Sequence, residues 1–189
     1  DAFPREPLTL GVDNNAEFNR VTPLLVDRYL TAAEDLARAV VESPQRLALV
    51  LPCDPAVEGE EACGAMFVDS MGPAAFRRPL STEERAALVN LFTAARMAWT
   101  FEDAVRLVLQ ALLQSPQFLY RVEAVPVGAG NAVPVEDPYA VANRLSYFLW
   151  STMPDPALMT AAAAGELSTP QEVAAQVTRM MADPRARDG

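Results

Sequence analysis

From Pro23 onward, apolar positions recur at three- and four-residue spacing through Leu25, Tyr29, Ala32, Leu36 and Val40. Asp27, Arg28, Glu34, Asp35 and Arg38 occupy the rest of the wheel. This is the period of a helix that buries one stripe, and it predicts a helix ending near Ser43-Pro44. The same pattern predicts a second helix from about Glu60 through Met66, Phe67 and Met71 to a break at Gly72-Pro73. A third follows Ser81, with Leu88, Leu91, Phe92 and Ala95 inward. A fourth follows Thr100, with Val105, Val108, Leu109 and Leu112 inward. After an interruption at Gln114-Ser115-Pro116, "PQFLYRVE" resumes for one or two turns. Farther on come "PYAVANRLSYFLW", a short helix around "ALMTAAAA" stopped by Gly165, and a helix from Pro170 to about Ala182. Only "LALVLPC" reads as extended. The expected fold is all-α, an irregular multi-helix bundle of about six to eight helices joined by short loops.

Helix starts carry a repeated device. Thr22-Pro23, Asp137-Pro138, Asp155-Pro156 and Thr169-Pro170 each place a capping oxygen before a proline whose missing N–H has no role at the first helical position. Ser81 with Glu84 and Thr100 with Asp103 have the spacing of a capping box. The segment "VPVGAGNAVPVED", residues 125–137, lacks any helical period and is rich in Gly, Pro and Val, so it reads as a linker. It divides the chain into an N-terminal helical region, 1–124, and a second one, 138–189.

Composition removes more chemistry than any motif supplies. The chain has 15 basic residues, all arginine, against 25 acidic ones, for a net charge of −10. Such a balance repels a phosphate backbone unless the arginines cluster, and only Arg77 and Arg78 are adjacent, so no nucleic-acid partner is expected. Histidine is absent, which rules out Ser-His-Asp and Cys-His sites, H-E-x-x-H zinc sites and the C-x-x-C-H attachment of a c-type haem within this segment. Without lysine there is no Schiff base and no P-loop. No cofactor is therefore expected here, and no apolar run approaches the length of a membrane span.

The remaining candidates are few. Cys53 and Cys63, the only cysteines, flank the acidic stretch "DPAVEGEEA". Their spacing fits neither a four-ligand zinc framework nor a redox C-x-x-C. It fits a small stapling disulfide, with two buried free thiols as the alternative. Asp13, Asn15 and Glu17 present oxygens at alternate positions like the start of a calcium loop. Phe18 and Leu24, however, stand where an EF-hand needs glycine and a bidentate acid, so a turn is the competing reading. Arg77 and Arg78 precede the helix start at Ser81 and could hold an anion, against an ion-pair knot with Glu83 and Glu84. Tyr147, Phe148 and Trp150 read with Leu145 and Leu149 as a helix buried almost all round, rather than as a stacking platform.

Taken in order, "GVDNNAEFNRVTPLLVDRYLTAAEDLA", "CGAMFVDSMGPAAFRRPLSTEE", "LQALLQSPQFLYRVE" and "ANRLSYFLWSTMPDPALMTAAAAGELSTPQEVAAQVTRMMADPRA" resemble consecutive modules of a planctomycete-type family of large exported proteins of unknown function. Members of that family often carry cytochrome-c-like modules. The resemblance implies a protein that extends beyond both Asp1 and Gly189. It also implies an exported location (periplasmic, cell-surface or extracellular), which favours the Cys53–Cys63 bridge, and other modules of the same chain as partners. It supplies no known active site. The expected role is a non-catalytic structural or interaction segment, associated with haem-containing electron-transfer modules outside it. The alternative is part of a carboxylate-based extracellular polymer hydrolase completed by other regions.

Overall fold

The computed structural model describes residues 22–120 and 137–187. Among them lie ten α-helices and no strand: α1 (Pro23–Val41), α2 (Pro44–Val50), α3 (Pro55–Glu58), α4 (Glu60–Phe76), α5 (Thr82–Arg96), α6 (Phe101–Gln114), α7 (Pro116–Leu119), α8 (Pro138–Trp150), α9 (Pro156–Ala163) and α10 (Pro170–Met181). A 3-10 turn, Pro184–Arg187, follows. The architecture is all-α, as the periodicity implied. Eight of the helices have seven residues or more, and α3 and α7 are single turns.

The four proline starts form as expected. Side-chain oxygens of Thr22, Asp137, Asp155 and Thr169 accept from the backbone N–H of Leu25, Tyr139, Leu158 and Glu172. Two further starts of the same kind escaped the sequence reading, Ser43-Pro44 at α2 and Asp54-Pro55 at α3. The first overturns the extended reading of "LALVLPC". Ser43 Oγ accepts from Arg46 N, and the apolar residues after it close one helical run to Val50. The expected break at Gly72-Pro73 is also corrected, since α4 runs on to Phe76 with Pro73 inside it. A proline there forfeits one backbone hydrogen bond, but it lies in the last turn, where little helix remains to be disrupted.

The described residues pack as two compact units, 22–71 with 82–115, and 72–81 with 116–120 and 137–187. Of the expected linker 125–137, only Asp137 is among the described residues, and it caps α8.

In the first unit α6 packs against both α1 and α5. Its buried stripe is correspondingly broad, running through Phe101, Ala104, Val105, Val108, Leu109 and Leu112. Helix α1 meets it through Ala33 and Ala37, whose small side chains permit close approach, while Leu36, expected inward, is 58% exposed. Helices α4 and α5 run antiparallel: Glu60 pairs with Arg96, Gly64 lies on the ring of Phe92, and Asp69 pairs with Arg85. Phe92 in turn meets Phe101 edge to face, centroids 5.7 Å apart.

The second unit centres on Ala142, Trp150, Leu158, Ala161, Ala162, Leu167 and Met180. Helix α9 stops at Gly165, whose φ of +75° is open to glycine at little steric cost. Helix α8 buries one line, Ala142, Ser146 and Trp150, spaced four apart. Phe148 is 86% exposed, so the helix is one-sided rather than buried all round.

Candidate functional site

The two cysteines are joined. Cys53 and Cys63 form a disulfide with Cα atoms 5.6 Å apart, and no described cysteine is free. The bridge closes a loop containing the one-turn helix α3, capped by Asp54 and followed by Gly59 at φ +85°. Cys63 is fully buried in the first turns of α4, next to Gly64, whereas residues 56–62 are exposed. The staple thus pins a solvated acidic loop to the α4–α5 hairpin.

The two adjacent arginines separate. Arg77 follows α4 in the left-handed region, φ +54°, a conformation that costs an L-residue about 1 kcal/mol or more. Arg77 is 5% exposed, and its guanidinium goes to backbone carbonyls. Nη2 donates to Gln117 O (2.7 Å) and Tyr120 O (3.2 Å), and Nη1 to Phe118 O (3.1 Å) and Ala75 O (3.4 Å). The carbonyls of a one-turn helix have few internal partners, and a planar cation serves several of them at once. Arg78 instead lies over the ring of Phe76, 5.6 Å from its centroid, and donates to Pro79 O. Asp13, Asn15 and Glu17 lie outside the described residues. Among those described, no group of three or more His, Cys, Asp or Glu residues could hold a metal ion.

Among the described residues, a dense polar constellation gathers side chains that no sequence motif connects. Asp155, the N-cap of α9, accepts from Leu158 N (2.8 Å) and from Arg179 of α10 through both Nη1 (2.8 Å) and Nη2 (3.1 Å). Arg185 of the 3-10 turn stands 3.7 Å from the same carboxylate and forms a two-point pair with Asp183, at 2.9 and 2.7 Å. Arg185 also lies over the ring of Trp150, with Cζ 3.6 Å from the centroid, and Arg179 Cζ stands 5.6 Å from it. Trp150 Nε1 donates to Met180 O (3.1 Å). Two guanidinia, two carboxylates and one indole therefore join the ends of α8, α9 and α10. Partial burial alone would raise the Asp155 carboxyl, but the Arg179 hydrogen bonds, the Leu158 N–H and the nearby cations outweigh it and hold it below the ordinary range. Hydrogen bonds from Arg185 hold Asp183 down to about 2.

Only the cap at Asp155-Pro156 was legible beforehand. The arginines that complete the cluster lie 24 and 30 residues away and carry no spacing signal.

Residues 1–42 match PSD3, protein of unknown function (DUF1587); residues 63–123 match PSD5, protein of unknown function (DUF1595); and residues 137–189 match PSD4, protein of unknown function (DUF1592). The chain carries three modules of unknown function. No curated protein and no solved structure matches it. The PSD5 segment contains Cys63, all of the α4–α5 hairpin but its first three residues, and Arg77 with its carbonyl partners, while the PSD4 segment contains the whole Trp150 cluster. No helix of the described residues is long and apolar enough to cross a membrane.

Proposed function

We propose that this chain is a non-catalytic structural and interaction segment of a larger exported protein, and that it binds other modules of that same protein. The observation that carries the reading is Phe148, an 86% exposed aromatic on the PSD4 helix α8 beside a mostly apolar hollow lined by Arg144, Leu145, Tyr147 and Phe148. It is the contiguity of Phe148 with that apolar hollow, rather than its exposure alone, that marks a contact surface, and aromatic side chains are the common anchors of such surfaces.

The charge chemistry supports the same reading. Among the described residues, the carboxyl groups with displaced titration, Asp69, Asp103, Asp155, Glu172 and Asp183, are all displaced downward, and each is tied to an arginine or a helix start. A glycosidase-type general acid needs the opposite displacement. The Cys53–Cys63 bridge suits an oxidising compartment, as does the likeness to exported proteins. Any c-type haem module of such a protein would lie outside this segment, because its attachment motif requires a histidine this segment does not have.

The test is binding in trans. The 189-residue chain, immobilised, is expected to capture the remaining modules of its parent protein expressed separately, and Phe148→Asp to weaken capture at least about tenfold, as for an anchor residue. Failure of the unmodified chain to capture them, or equal capture by Phe148→Asp, overturns the proposal.

A further inference from the structure

We propose that the 3-10 turn Pro184–Arg187 is a releasable strap, closed over the face of Trp150 by Arg185 and able to open while α8, α9 and α10 stay folded. The attachments on the two sides of Trp150 differ in kind. Helices α8, α9 and α10 are joined through an apolar core of fully or nearly fully buried side chains, among them Leu158, Ala161, Ala162 and Met180. The strap contributes Ala186 to the edge of that core, while Pro184 and Arg185 are exposed. Among the described contacts its polar ties are the Arg185 guanidinium, which lies over Trp150 and pairs with Asp183 and Asp155, and the local bonds of Arg185 N and Ala186 N to Asp183. Exposed ion pairs contribute little net free energy and weaken with salt, whereas buried apolar contacts do not. Segments with few buried apolar contacts open first, at a free energy well below that of global unfolding.

The charges facing the strap make opening selective. Arg179 keeps its own two-point contact with Asp155 when Arg185 leaves, so the α9 cap and the α9–α10 tie survive. Trp150 keeps its Nε1 bond to Met180 O. What opening changes is the indole face: with Arg185 gone, a flat aromatic surface flanked by the Asp155 carboxylate faces solvent. Arg185 itself shows the chemistry such a surface accepts, a guanidinium laid on the ring and paired at its edge.

The experiment reads Trp150 alone, in a Trp99→Phe background that removes the only other tryptophan. Acrylamide quenching at neutral pH and low salt is expected to be weak in this parent, and to rise about twofold or more in Arg185→Ala with the helical circular dichroism unchanged, as for an indole that loses a stacked cation. Raising salt to about 1 M, where charges are screened beyond about 3 Å, is expected to increase quenching in the parent and not in Arg185→Ala. Asp183→Asn, which loosens the strap without removing the stacking group, is expected to fall between the two. Quenching in Arg185→Ala equal to the parent's, or a rise accompanied by loss of helical signal in both variants, overturns the proposal.

Discussion

Gly64 of α4 lies against the ring of Phe92 on α5 so closely that a Cβ at position 64 would sit 2.1 Å from Phe92 Cε1. Phe92 is 1% exposed and meets Phe101 edge to face, so the ring has little room to give way. Gly64→Ala, normally favourable in a helix interior, is therefore expected to destabilise the protein by about 1–3 kcal/mol, the usual cost of overpacking. Chemical denaturation checks this. A midpoint at or above the parent's would mean that the hairpin is not packed as described.

Arg77 supplies donors to the carbonyls of Ala75, Gln117, Phe118 and Tyr120 from a position 5% exposed. Arg77→Met keeps the bulk but strips those carbonyls of a charged donor, for an expected loss of about 2–4 kcal/mol, the cost of one or two groups left unsatisfied at roughly 1–3 kcal/mol each while the other part-buried carbonyls turn to water. Arg77→Lys should recover little of it, because an ammonium cannot span the same fork of acceptors. Equal denaturation midpoints for Arg77→Lys and the parent would contradict the clamp.

Asp183 is predicted to titrate at about 2, held down chiefly by its hydrogen bonds with Arg185. A depressed carboxyl contributes its stabilisation above the ordinary value of 3.8 and loses it as pH falls through about 2. Carboxyl NMR should therefore show Asp183 ionised across pH 3–4, and Arg185→Ala should return it toward 3.8. A midpoint unmoved by Arg185→Ala would break the assigned pair.

These outcomes bear on what the sequence could reveal. Helix starts set by a short-range device were legible at Thr22, Asp137, Asp155 and Thr169, which all cap as their neighbouring prolines implied, while the same device at Ser43-Pro44 and Asp54-Pro55 was hidden beside short apolar or acidic runs with no clear helical period. Where a local rule meets tertiary packing, it misled. Pro73 lies within α4 rather than breaking it, and the buried line of α1 runs through Ala33 and Ala37 instead of Leu36. The polar clusters were invisible for a simpler reason. Arg77 finds its acceptors about 40 residues along the chain and Asp155 finds Arg179 at 24, and no periodicity links positions so far apart. The Cys53–Cys63 pairing was accessible because only two cysteines exist.

Reduction of that bridge, which spans a sequence separation of 10, should lower stability by roughly 2–3 kcal/mol on the chain-entropy model. Denaturation with and without reductant, compared with a Cys53→Ser/Cys63→Ser variant that should not respond to reductant, isolates the effect. An equal response in the double variant would place the reductant's action elsewhere.

The central claim, an exported assembly segment, is tested most directly by the thiol state of Cys53 and Cys63 in the cells that make the parent protein. Acid-quenched cells would be alkylated before and after reduction, and the peptides holding the two cysteines read by mass. The account predicts that both cysteines are blocked until reductant is added and that the protein is recovered outside the cytoplasm. Freely alkylated Cys53 and Cys63 in cytoplasmic protein would contradict it.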